Sequence, residues 1–171
     1  MTNAVLLYAP QDFHNLCLLA RTLEAFGYRE CHVFDPLRLV RERYGKSRTR
    51  ELRVVSAGAF EKISFVRTDD PFRFIAGHAG RAIATVAEPG AVALSAHRFS
   101  TTDLLVFGSE SRGLPKEVVA ACSAAVTIPT HGQTRSLNLV VALGIVLFEL
   151  RRQVTATVAD ANGRTRASAL T

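Results

Sequence analysis

The chain has 171 residues, of which 48% are hydrophobic and 21% charged, and Lys and Arg exceed Asp and Glu by 21 to 15. These values fit one globular domain and exclude a wholly disordered, collagen-like or coiled-coil chain. The net charge of +6 favours a polyanionic partner. The N-terminus has no signal-peptide pattern, and no apolar run reaches the ~18 residues of a membrane span. We therefore expect a cytoplasmic protein.

Predicted strands and helices alternate along the chain. Short apolar runs bounded by Gly, Pro or polar residues predict strands, and apolar residues at helical spacing predict helices. The predicted strands are Ala4–Tyr8, Cys31–Asp35, Ile63–Arg67, Ala82–Ala87, Leu104–Phe107 and Ala125–Ile128. The predicted helices are Asn15–Gly27, a helix that starts at Asp70–Pro71, Pro115–Ala121 and Ser136–Gln153.

This alternation predicts an α/β fold with a mostly parallel sheet covered by helices on both faces. In such sheets, ligands bind beyond the carboxyl ends of the strands. From Val154 the sequence becomes small and polar. We expect one domain over residues 1–153 and a flexible tail over 154–171.

Several common sites have no support in the sequence. Cys17, Cys31 and Cys122 lie far apart and no histidine stands at ligand spacing, so neither a disulfide framework nor a metal site is expected. The dinucleotide fingerprint, the P-loop and the nucleophile elbow are all missing. A nucleotide-binding α/β protein of another class is an alternative, but it would require a phosphate motif that this sequence lacks.

The positive charge is concentrated between Arg38 and Arg53, where seven basic residues stand against two acidic ones. Such a cluster can replace the counterions of a nucleic acid, or it can be an ordinary solvated surface. The candidate nucleic-acid-binding residues are Arg41, Arg43, Lys46, Arg48 and Arg50 of this cluster, together with Arg112.

Three segments carry polar residues at predicted strand ends. In the first, Asn15 stands at or near a helix cap, and Arg21 points away from the leucine face of that helix. The second is Gly108–Leu114, in which two glycines bracket Glu110 and Arg112. In the third, Ser136 is suited to cap the long helix that follows. Capping does not explain Asn138, an amide near the start of an otherwise apolar helix.

Together these segments resemble the motifs of the SPOUT-class RNA 2′-O-ribose methyltransferases, over residues 3 to 153. The matched residues are Asn15 followed by Arg21, the Gly-x-Glu-x-x-Gly-Leu pattern at Gly108–Leu114, and Ser136-Leu137-Asn138. Cys17 and Ser109 depart from the family pattern, which usually has glycine and proline there. The resemblance implies a deep trefoil knot in the C-terminal half, a homodimer and 2′-O-methylation of a ribose in tRNA or rRNA.

The resemblance also implies the cofactor S-adenosylmethionine and assigns residues to two groups. The implied catalytic residues are Arg21, Asn15, Glu110, Ser136 and Asn138. The implied cofactor contacts are Thr85, Val86, Gly108, Glu110, Gly113, Leu114, Ile128, Pro129, Ser136 and Leu137. Because a guanidinium remains protonated, we expect Arg21 to orient the 2′-hydroxyl and neutralise the adjacent phosphate. A non-catalytic RNA-binding relative of the same fold is the second alternative.

Overall fold

A computed structural model describes residues 3–40, 46–134 and 136–168. Side chains are described in these ranges except at 46–49, 51 and 156–168. The described residues form seven strands and five α-helices. The strands are β1 (Ala4–Tyr8), β2 (Glu30–Phe34), β3 (Ser64–Arg67), β4 (Ala82–Val86), β5 (Val92–Ala93), β6 (Leu104–Phe107) and β7 (Ala124–Thr127). The helices are α1 (Phe13–Ala25), α2 (Lys46–Val55), α3 (Pro71–Gly77), α4 (Lys116–Ala121) and α5 (Leu139–Ser168).

The strands form one sheet in the order β3-β2-β1-β6-β4-β7-β5, with parallel pairing throughout. The larger core lies between one face of the sheet and the helices α1 and α5, which pack against each other. A smaller core lies on the opposite face, under α3 and α4. The predicted α/β fold is thus confirmed. The trefoil knot stays a prediction, because strand order and pairing do not define how loops are threaded.

Helix α1 begins earlier than the sequence predicted. Asp12 is its N-cap, and its side chain accepts a hydrogen bond from the His14 backbone N–H at 2.7 Å. Asn15 therefore lies inside the first turn, and its side chain is available for contacts with other segments. Asn15 thus lies near the cap, as predicted, while the cap itself is Asp12, another good capping residue that stands three positions earlier.

The start of α5 reverses the predicted roles of two residues. Asn138 accepts a hydrogen bond from the Val140 backbone N–H at 2.8 Å through its side chain, and its carbonyl accepts from the Ala142 N–H at 2.9 Å. Asn138 is therefore the cap, and Ser136 lies exposed two residues before it. The prediction that Ser136 caps this helix was wrong, since serine and asparagine cap almost equally well.

Helix α5 also continues to Ser168, beyond the predicted end at Gln153. The added segment contains four alanines and no proline, so the helix can continue despite Gly163. Val154, the first residue of the predicted tail, is only 5% exposed and belongs to the larger core. The polar composition concealed this helical continuation. The flexibility of 154–171 and the domain boundary stay predictions.

The sequence patterns did not predict two elements, strand β5 and helix α2. Strand β5 has only two residues, too few for a periodic pattern, and pairs with β7 at the edge of the sheet. Helix α2 lies in the basic segment, where no apolar periodicity marks it. In the described ranges, no helix combines the length and apolar character needed to cross a membrane. The cytoplasmic location stays a prediction.

Candidate functional site

A cavity of about 310 Å³ lies at the edge of the sheet where β4, β6 and β7 end. Because these parallel strands have their carboxyl ends at one edge, the loops that follow them converge there. Pro129 does not line the cavity, although both of its neighbours do. The predicted cofactor contacts that line it are Thr85, Val86, Gly108, Glu110, Gly113, Leu114, Ile128, Ser136 and Leu137.

The loop after β6 closes on itself. The Ser109 N–H donates to the Gly113 carbonyl at 3.1 Å, and the Gly113 N–H donates to the Ser109 carbonyl at 2.9 Å. A proline in place of Ser109 could not donate the first bond. Gly113 has φ +64°, and a Cβ on Gly108 would overlap the backbone of Gly113 and Leu114. Both glycines are therefore required for the closure of this loop. The closed loop places Glu110 and the residues beside it in the wall of the cavity.

A buried hydroxyl in the cavity wall lacks a partner. Thr85 is near the carboxyl end of β4, and its Oγ1 atom is buried with no hydrogen-bond partner among the described residues. A buried unsatisfied hydroxyl costs free energy unless a ligand or an ordered water satisfies it. Its position in the wall of the cavity makes it a point of attachment for a ligand with polar groups.

Glu110 connects the loop after β6 with the loop before α1. Its Oε2 accepts from the Gln11 N–H at 2.8 Å, and its Oε1 accepts from the Asp12 N–H at 3.3 Å and from Asn15 Nδ2 at 3.1 Å. Asn15 Oδ1 in turn accepts from Asn138 Nδ2 at 3.3 Å. Three of the five predicted catalytic residues thus form one hydrogen-bonded chain across the three motif segments.

The other two predicted catalytic residues lie outside this chain. Ser136 is exposed and lines the cavity. Arg21 is exposed on α1, roughly 9 Å beyond Asn15 along the helix axis at 1.5 Å per residue. It does not line the cavity, and no described side chain forms an ion pair with it. Its guanidinium is therefore available to a partner from outside the described chain.

The predicted RNA-binding residues are distributed over two regions. Arg112 is exposed and lines the cavity beside Glu110. Arg50 is exposed on α2, and Lys46 and Arg48 belong to the same helix. Arg41 and Arg43 lie outside the described residues. The basic helix and the cavity are thus separate candidates for contact with a polyanion.

Sequence reasoning missed part of the cavity and its rim. Most of the missed residues of the wall directly follow a strand or stand next to a predicted site residue, so their position in the chain was the available signal; Glu88 and Ala142 had no such signal. Gln11 lies at the rim, and its side chain accepts a hydrogen bond from Ser111. The missed residues of the cavity wall are Ala87, Glu88, Phe107, Ser109, Ser111, Thr130, Leu139 and Ala142.

Among the described residues, neither a cysteine nor a group of metal-ligating side chains lines this cavity. Burial raises the pKa of Cys122 to about 11 and that of Cys31 well above its usual range, so both remain thiols at neutral pH. Within the described ranges, no three His, Cys, Asp or Glu side chains are grouped as metal ligands would be. The site consists of a cavity lined by hydrogen-bond donors and acceptors, with Arg112 in its wall.

Comparison with known proteins gives a family. The model of the SpoU rRNA Methylase family matches residues 2–148. The chain is 32% identical over 146 residues to the 23S rRNA (guanosine-2′-O-)-methyltransferase RlmB of Acinetobacter baylyi, an alignment that covers 83% of this chain and 56% of that protein. The chain thus spans little more than half the length of this relative.

Solved structures of other proteins have the same fold as this chain. One, described as giving structural insights into the 2-OH methylation of C/U34 on tRNA, has a TM-score of 0.77 at 32% identity and covers 91% of this chain and 97% of its own. Another, an rRNA methyltransferase from Sinorhizobium meliloti with bound AdoMet, has a TM-score of 0.73 at 28% identity, with 88% and 56% covered. The family match extends over both motif-bearing loops and the start of α5. The chain therefore belongs to the SpoU rRNA methylase family.

Proposed function

We propose that this protein transfers a methyl group from S-adenosylmethionine to a ribose 2′-hydroxyl of tRNA or rRNA. The observation that carries the proposal is the coincidence of nine predicted cofactor contacts with the wall of one cavity. Relatives named as guanosine-2′-O-methyltransferases of 23S rRNA and of tRNA support the reaction type.

The residues of the cavity fit this cofactor. S-adenosylmethionine, when bound, supplies an activated methyl group, so the protein has to position the acceptor and exclude water. The cavity wall contains the unpartnered Thr85 hydroxyl for a polar group of the cofactor and apolar side chains such as Ile128 and Leu139 for its adenine. A site of this kind is mostly apolar with a few polar groups that fix orientation.

The hydrogen-bonded chain supports a positioning role for three residues. Both carboxylate oxygens of Glu110 accept bonds from α1 or from the loop before it. Glu110, Asn15 and Asn138 therefore hold the first helix against the cofactor loops. Arg21 is not part of this hydrogen-bonded chain and is available to the acceptor RNA. Its planar guanidinium can donate hydrogen bonds to the ribose 2′-hydroxyl and to the adjacent phosphate. Ser136, exposed at the cavity, is placed to donate or accept one further bond.

We also propose a homodimer. Val141 (50% exposed), Ile145 (36%) and Phe148 (62%) form one apolar stripe along α5. Exposed apolar patches of this kind mark interaction surfaces. A second copy that covers this stripe would lie beside α1, which carries Arg21. A site built from both copies would account for the observation that Arg21 does not line the cavity of its own chain.

RNA is the proposed acceptor because the basic segment can replace phosphate counterions. Binding should therefore weaken steeply with salt. Changing Arg48 and Arg50 to Ala should lower RNA affinity and reduce the salt slope, while S-adenosylmethionine affinity stays unchanged. Salt-independent RNA binding would show that the cluster is a solvated surface.

The rival is a non-catalytic RNA-binding relative, and one experiment separates the two. Purified protein is titrated with S-adenosylmethionine by calorimetry and then incubated with methyl-labelled cofactor and total RNA from a strain that lacks the gene. The proposal predicts cofactor binding without added metal and label in RNA. RNA binding without cofactor binding would favour the rival.

A further inference from the structure

Gln11 lies in a constrained loop between β1 and α1. Its backbone N–H donates to Glu110 at 2.8 Å. Two residues earlier, Ala9 has φ +50°, a conformation that L-residues avoid. Such strained positions persist where the surroundings hold them, and they cluster at functional sites. The loop therefore holds the Gln11 backbone at the rim of the cofactor cavity.

The side chain of Gln11 is also fixed. Its Oε1 accepts a hydrogen bond from Ser111 Oγ at 2.6 Å, and Ser111 lines the cavity. Both residues are exposed. Ordering a long glutamine side chain costs entropy, and an exposed hydrogen bond returns little. When it forms, this bond sets the direction of the amide, with the oxygen toward Ser111.

The fixed amide leaves its nitrogen free to donate. With the oxygen bonded to Ser111, Nε2 has two N–H donors, and neither has an acceptor among the described residues. Under the proposed function, the acceptor ribose has to reach the cofactor in the cavity, and the wall of that cavity includes Ser111, the partner of Gln11. Unstacked RNA bases present carbonyl oxygens and ring nitrogens as acceptors on their edges.

We propose that Gln11 donates a hydrogen bond to the base edge of the nucleotide that is methylated, and so contributes to the choice of that nucleotide. This inference rests on the proposed function. A neutral amide is suited to a base, since Arg21 and Arg112 supply charge for phosphates. The Ser111 contact orients the amide before RNA arrives, which lowers the entropy cost of recognition.

The experiment first maps the methylated nucleotide with wild-type protein. Four transcripts of that RNA, different only in the acceptor base, are then methylated under kcat/KM conditions. Gln11→Ala should lower kcat/KM on the preferred transcript about tenfold, the value of one base-edge hydrogen bond. The ratio between preferred and non-preferred bases should fall by a similar factor. S-adenosylmethionine affinity should remain that of the wild type.

Two matched variants complete the test. Gln11→Glu keeps the bond from Ser111 but has no N–H donors, so it should lose at least as much discrimination as Gln11→Ala. Ser111→Ala removes the bond to the Gln11 amide but keeps the amide, so it should reduce base discrimination less than Gln11→Ala does. If Gln11→Ala lowers all four rates equally, or none of them, the base contact is wrong while the methyltransferase assignment stands. Absence of transfer by the wild type would instead overturn the proposed function.

Discussion

The unpartnered Thr85 hydroxyl leads to a prediction with two opposite effects. Replacing Thr85 by Val should stabilise the protein without ligand and weaken the binding of the ligand. Thr85→Val replaces the hydroxyl by a methyl group of similar size. The buried Oγ1 atom has no partner among the described residues, so the empty protein loses nothing when it is removed. A cofactor that bonds to it would lose one hydrogen bond.

The two effects should be nearly equal in size. A buried unsatisfied hydroxyl costs about 1–3 kcal/mol, and one hydrogen bond contributes about 1 kcal/mol. The free energy of unfolding without ligand should therefore rise by about 1 kcal/mol, which raises Tm by about 2–4 °C for a chain of this size. S-adenosylmethionine affinity should fall about fivefold for the same 1 kcal/mol. With saturating cofactor the two effects offset, so the Tm values of variant and wild type should converge.

Thermal unfolding at fixed protein concentration, with and without S-adenosylmethionine, measures both quantities, and calorimetry gives the affinity directly. Thr127→Val is the matched control, because Thr127 is half-buried on the neighbouring strand β7 and does not line the cavity. It should neither raise Tm nor change affinity. A lower Tm for Thr85→Val with unchanged affinity would refute the reasoning, since it would mean that a structural water satisfies this hydroxyl.

Three further predictions concern the helices. Arg21→Ala should change the free energy of unfolding by at most about 0.5 kcal/mol but lower single-turnover methyl transfer about 100-fold or more, whereas Arg21→Lys should restore little of that rate. Asn138→Ala should cost about 1 kcal/mol in urea unfolding as the loss of a helix cap, and Ser136→Ala less than about 0.5 kcal/mol; equal costs would contradict the capping assignment. Phe148→Arg should sediment as a monomer at micromolar concentration where the wild type is a dimer; an unchanged sedimentation coefficient would remove the dimer surface on α5.

Much of the fold could be predicted because the buried parallel strands are continuous apolar runs. Strand β6 is fully buried and was predicted at its exact bounds, Leu104–Phe107. Errors arose where two residues could perform the same local task. Asp12 and Asn15 compete to cap α1, as Ser136 and Asn138 do for α5, and tertiary contacts decide between them.

The candidate site was predictable as a set of segments but not as a set of contacts. The motif segments were located at predicted strand ends, and the family resemblance implied that the loops around Gly108 and Ser136 form one cofactor site. The bonds that join Glu110 to Asn15 and to the backbone of Gln11 cross about a hundred positions in sequence, and no local pattern encodes them. The orphaned Thr85 hydroxyl was likewise invisible, since only the packing around β4 deprives it of a partner.

The most direct test of the account is the chemical position of the transferred methyl group. Methyl-labelled S-adenosylmethionine and RNA that lacks the modification are reacted in a single turnover, and the product is cleaved with alkali and mapped. We expect label at one nucleotide whose 3′ linkage resists alkaline cleavage, because a 2′-O-methyl group prevents the 2′-oxygen from attacking the phosphate. Label on a base, with the linkage still cleaved, would contradict the assignment to ribose.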